Sequence, residues 1–85
     1  MVQFKKEMIL TELNRITQQA GVMGGEACIR GTRVTVGMVV GLIAARDSVD
    51  DILADYPYLE REDIVHALRY AAWRAEEREL VLTTA

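Results

Sequence analysis

The chain has 85 residues, an apolar fraction of 51% and a formal net charge of −3. That length fits one domain, and that composition is globular rather than disordered. One cysteine and one histidine exclude a disulfide framework and leave too few ligands for a zinc site.

A domain this small buries only about 60% of the surface its unfolded chain exposes, so a homodimer is expected to complete the core. The lone Cys28 is what a reducing compartment permits, which points to a cytoplasmic protein. The opening "MVQFKKEMIL" lacks the long apolar core of a signal peptide, and no apolar run approaches the roughly 20 residues of a membrane span. No membrane contact and no cofactor are expected.

The net charge hides an asymmetry. Residues 1–36 carry Lys5, Lys6, Arg15, Arg30 and Arg33 against Glu7, Glu12 and Glu26, a balance of +2. Residues 37–85 carry five arginines against ten carboxylates, a balance of −5. The expected organisation is an N-terminal arm over 1–13, a helical domain over 14–79 and a short tail over 80–85.

In the arm, residues 2–13 read as a short helix or an extended segment. "NRIT", residues 14–17, reads as a short strand, and "QQAGVMGG", residues 18–25, as a glycine-punctuated loop. "ACI" is a short extended piece, "RGT" is a turn signal, and "RVTV", residues 33–36, alternates like a strand that feeds a helix.

Thr35 is placed to cap a helix over about 36–45. That helix is apolar nearly all round, which predicts burial, in part by a second subunit. Ser48 starts a second helix. Asp50 and Asp51 load its first turn, Asp51 stands at the capping-box position, and Pro57 ends it. The last helix is expected over about 60–79. Ile64, Leu68, Ala71, Ala72 and Ala75 fall on one stripe, and the alanines allow a close helix neighbour.

"GGEACIRGTRVTVG", residues 24–37, holds four of the six glycines. A P-loop needs four residues between its glycines and then Lys-Ser/Thr. Here five residues separate Gly25 from Gly31, and Thr32-Arg33 follows, so the glycines read as backbone geometry. Cys28 reads as a small buried apolar residue rather than a reactive thiol. Arg30 and Arg33 flank the turn. They bind an anion or a nucleic-acid phosphate, or they pair with carboxylates at a contact.

On the last helix, His66, Tyr70 and Trp73 lie roughly opposite the Ile64 stripe, with Arg69 at the edge. This second face is either a further core layer or a protein-partner surface. No carboxylate pair, triad or nucleophile–base spacing argues for an enzyme.

Three helices in this order match a three-helix DNA-binding unit. The acidic start of the last helix opposes simple DNA binding, because phosphate neutralisation by Lys and Arg supplies most nonspecific affinity. Any DNA contact would lean on Lys5, Lys6, Arg15, Arg30 and Arg33.

"RIT", "GGEACIRGTRVTV", "DSVDDILADYPYLEREDI" and "ALRYAA" together resemble domain-of-unknown-function family 433, over about residues 14–75. The resemblance implies a mainly α, homeodomain-like helix-turn-helix core with a short N-terminal β element. It also implies a small prokaryotic protein, often encoded beside a PIN-like nuclease and regarded as the antitoxin of a type II toxin–antitoxin pair. Glu26-Ala27 stands where the family usually has Lys-Pro, and Glu60 where it usually has Thr. The expected role is a non-enzymatic antitoxin that binds a PIN-like toxin and, as a dimer, operator DNA. The alternatives are a helix-turn-helix regulator without a toxin, or an anion-binding module at the Arg-Gly-Thr-Arg turn.

Overall fold

The structure is a computed structural model that describes residues 13–18, 21 and 23–77. Strands β1 (Ile16–Gln18) and β2 (Ala27–Ile29) pair antiparallel, with Ile16 opposite Ile29 and Gln18 opposite Ala27. Three helices follow among the described residues: α1 (Val36–Ala44), α2 (Val49–Asp55) and α3 (Arg61–Glu77). The fold is therefore mainly α with a small N-terminal β element, as the sequence predicts.

β1 begins later than the expected 14–17. Asn14 and Arg15 form a turn, in which the Ile16 N–H donates to the Leu13 carbonyl at 3.0 Å. The expected extended run at 33–36 shrinks to one bridge between Cys28 and Thr35, and the Ile29 N–H donates to the Val34 carbonyl at 2.9 Å. The reason is local. Thr35 ends the extended run because its hydroxyl accepts the Met38 N–H at 3.0 Å and starts α1. Between β2 and α1, the Thr32 hydroxyl donates to the Ile29 carbonyl at 2.8 Å and accepts the Val34 N–H at 3.0 Å. Gly31, at φ 76°, supplies the left-handed step of this turn.

α1 ends in a double hydrogen bond. The Arg46 N–H donates to the Ile43 carbonyl and the Asp47 N–H to the Leu42 carbonyl, each at 3.0 Å. This is the Schellman arrangement, and its left-handed residue is Arg46 at φ 76°, where glycine is usual. α2 opens on the expected capping box: the Ser48 hydroxyl accepts the Asp51 N–H, and the Asp51 carboxylate accepts the Ser48 N–H. α3 has no hydroxyl at its start. Asp63 Oδ2 instead accepts the Glu60 N–H at 2.8 Å.

Every element contributes to one core. Ile29 comes from β2, Val36 and Val39 from α1, Ile52 from α2, and Ile64 and Ala67 from α3, with Val34 and Leu59 from the connections. Buried Leu13 and Trp73 form a smaller cluster with half-buried Ile16 and Tyr70. Leu13, assigned to the arm from sequence, is thus part of the packed unit. The remainder of the arm, residues 1–12, and residues 78–85 with the expected tail lie outside the described residues.

Candidate functional site

The residues expected to contact DNA separate into distinct environments. The Arg15 guanidinium reaches α3, where Nη1 lies 2.6 Å from Glu60 Oε1 and 3.0 Å from Asp63 Oδ1. The hydrogen bond to Glu60, and then that to Asp63, raises the Arg15 pKa above the ordinary guanidinium value. Arg15 is therefore committed to a fold contact and does not belong to a free cationic patch. Lys5 and Lys6 lie outside the described residues.

Arg30 and Arg33 are exposed and have no carboxylate partner among the described residues. Arg30 Nη1 donates to the Asn14 carbonyl at a long 3.4 Å, and its backbone N–H donates to the Arg15 carbonyl at 2.6 Å. The turn thus holds both side chains at the surface while its backbone is fixed to the sheet. Cys28 beside them is buried, and its Sγ donates to the Glu26 carbonyl at 3.4 Å.

The expected partner face on α3 is not a continuous open surface. Trp73 is only 8% exposed and packs against Leu13, so it is core. Tyr70 sits edge-to-face with Trp73 at 5.5 Å between ring centroids, and its hydroxyl donates to Gln18 Oε1 at 3.3 Å. His66 is largely enclosed. Its Nε2 lies 3.6 Å from Glu62 Oε2, and its buried Nδ1 has no partner among the described residues. Arg69 alone of the four is exposed. The second core layer holds Trp73 because Leu13 and Ile16 cover that side of α3.

An open groove of about 960 Å³ lies beside Tyr70. Val36, Gly37 and Val40 of α1 and Ala71 and Ala75 of α3 form apolar walls, while Gln18, Gly24–Ala27 and Arg74 edge it. Gln18 fixes one rim, because its Nε2 donates to the Gly25 carbonyl at 2.9 Å while its Oε1 receives Tyr70. The Arg74 guanidinium stands 6.0 Å from the Trp73 ring centroid, in cation–π range. The alanine stripe predicts a close helix neighbour, and the structure adds that Ala71 and Ala75 line this groove. Its meeting with the Gly24–Gly25 turn depends on the hairpin folding back onto α3, which spacing along the chain does not encode.

The chain as a whole is similar to known proteins. The sequence profile described as "Protein of unknown function (DUF433)" matches residues 16–71. The chain belongs to the DUF433 family. A solved structure described as a DUF433 member from Anabaena variabilis is 31% identical, with a TM-score of 0.71 over 87% of this chain and 80% of that one. A comparison with curated proteins gives no match. The DUF433 match spans β1 to the middle of α3, and so includes the Arg-Gly-Thr-Arg turn, Glu60, Asp63 and most of the groove walls, while Arg15 stands one residue before it. No helix among the described residues is long and apolar enough to cross a membrane. Nor do those residues gather three or more His, Cys, Asp or Glu side chains that could hold a metal ion.

Proposed function

We propose that this DUF433 protein is a binding module, the antitoxin of a type II pair, which holds a PIN-like toxin nuclease as a homodimer in the cytoplasm. The groove between α1, α3 and the Gly24–Ala27 turn carries this reading. It is concave, apolar-walled and edged by polar groups, the composition that seats a partner's apolar segment and fixes its register. The antitoxin assignment itself comes from the family resemblance.

The test is co-expression with the product of a neighbouring nuclease gene. A stable complex that suppresses nuclease activity is expected. Ala75→Arg, at an exposed groove position, should weaken the complex while leaving the thermal midpoint of the free chain within a few degrees. Failure of the two purified proteins to associate would overturn the proposal.

A second reading, a DNA-binding regulator, is favoured by the exposed Arg30 and Arg33, which have no carboxylate partner among the described residues. Opposing it are Glu60, Glu62 and Asp63 at the start of α3. Arg15 also adds little here, because its charge is already met by Glu60 and Asp63.

A further inference from the structure

The outward face of α1 is unlike that of the other helices. Its exposed residues, with Ala45 just beyond its end, are Gly37, Met38, Gly41 and Ala44. None carries a polar side chain. By contrast, α2 exposes Asp50, Asp51 and Asp55, and α3 exposes Arg61, Glu62, Arg69 and Glu76. Met38 is 38% exposed, so no described residue closes this face. Apolar residues all round a helix signal cover on all sides, and the core covers only the side of Val36 and Val39.

The ends of this helix differ in charge. Arg30 and Arg33 precede it with no carboxylate between Glu26 and Asp47, whereas Arg46 is followed by Asp47, Asp50 and Asp51. A second α1 laid antiparallel across the face brings the cationic end of each helix to the acidic end of the other. A parallel arrangement sets like charge against like. At 100° per residue, Gly41 lies at the centre of the exposed arc. A two-fold axis there sets Gly37 against Ala45 of the other copy.

We infer that α1 is the self-association surface of this protein: two copies meet antiparallel about a two-fold axis at Gly41, with Arg33 of each facing the Asp47 region of the other. The occupant is a second copy because the charges at the two ends of the surface are self-complementary about its centre, which an isologous contact demands. The helix is only about 13 Å long. Stable interfaces cover about 800 Å² per partner, so the turns at both ends must join the contact. The dimer is accordingly weak and concentration-dependent. This inference rests on the dimeric part of the reading above, its surface shares only Gly37 with the groove, and its test needs no nuclease.

Sedimentation velocity of the full chain over a concentration series tests it. The wild type should pass from monomer to dimer with rising concentration. A Cβ at position 41 meets nothing within 4 Å in the single chain, and its φ is ordinary. Gly41→Glu therefore folds, with a thermal midpoint at low concentration no lower than wild type, because Glu is the better helix former. It should raise the dissociation constant about tenfold or more by burying a charge at the axis. Under mild oxidation Gly41→Cys should give a covalent dimer, and Ala54→Cys on exposed α2 should not. Arg33→Glu should weaken association, and adding Asp47→Arg should restore it. A wild type that stays monomeric throughout, or a Gly41→Glu dimer as tight as wild type, overturns the inference. Concentration-independent protection of the α1 face also overturns it, by assigning the cover to residues 1–12 or 78–85 of the same chain.

Discussion

Arg15 Nη1 donates to Asp63 Oδ1 at 3.0 Å and thereby ties the approach to β1 to the first turn of α3. The other oxygen of Asp63 caps that turn by accepting the Glu60 N–H at 2.8 Å. One carboxylate thus closes the sheet onto the helix and satisfies an amide that has no partner within the helix. Asp63 is 8% exposed, so water cannot replace it freely. Asp63→Ala should cost about 1.5–3 kcal/mol in urea unfolding, as loss of a charged hydrogen-bond acceptor does. Glu60→Ala should cost less, because the Glu60 side chain is 71% exposed and, among the described residues, contacts only Arg15. Equal losses for the two variants would show that the cap contributes nothing.

The left-handed Arg46 predicts a stabilising substitution. Its φ of 76° strains any residue with a Cβ. Its backbone N–H, not its side chain, makes the helix-ending bond to Ile43. Arg46→Gly should raise stability by about 1 kcal/mol and leave the fold unchanged. A lower thermal midpoint for this variant would count against the Schellman ending.

The two environments on α3 predict unequal effects. Trp73→Ala should cost about 3–5 kcal/mol, because the indole is core against Leu13. Arg69→Ala should stay within about 0.5 kcal/mol, as exposed substitutions do. Denaturant titration separates the two. A small cost at Trp73 would return that residue to the surface.

The Ser48 capping box predicts an acid-labile contribution. The Ser48 backbone N–H, and then its side chain, hold the Asp51 carboxyl below its ordinary value of 3.8. The folded value is lowered, so this stability is fully present above the unfolded value and fades as pH falls through the folded one. The stability gap between wild type and Asp51→Asn should therefore narrow between about pH 5 and about pH 2. Thermal midpoints across that range measure it, and a constant gap would separate the carboxylate from the cap.

If the DNA reading holds, affinity should fall steeply with salt, and Arg30→Ala plus Arg33→Ala should flatten that slope by about two phosphate contacts. Arg15→Ala should leave the slope unchanged, since Glu60 and Asp63 already hold its charge. Filter binding at several salt concentrations reads all three proteins. A salt-independent wild type dismisses the DNA reading.

Much of the local structure is legible along the chain. Thr35, Ser48, Asp51 and Pro57 mark helix ends by chemistry that acts within a few residues, and the helices fall close to where these signals stand. The end of α1 is less legible, because Arg46 occupies a glycine-type position. The start of α3 is less legible too, because Asp63 reaches back to cap it. For the candidate site, the alanines of α3 and the arginines flanking the turn stand out in the sequence, whereas whether Arg30 and Arg33 pair with carboxylates, and the rim made by Gln18 with Tyr70, do not. Those two side chains meet only because the hairpin folds back onto α3.

The sequence by itself determined the helix order, the capped ends, the glycine-shaped turn and the family, all of which rest on short-range geometry or on residue pattern. Tertiary structure decided which charges and which aromatics are available. Arg15 and Arg33 look alike in sequence, yet only Arg15 lies within hydrogen-bond reach of Glu60 and Asp63. Trp73 and Arg69 lie near each other on one helix, yet only Trp73 is covered by Leu13. Helical periodicity gives the direction of a side chain on its own helix. What waits in that direction depends on segments brought there from elsewhere in the chain.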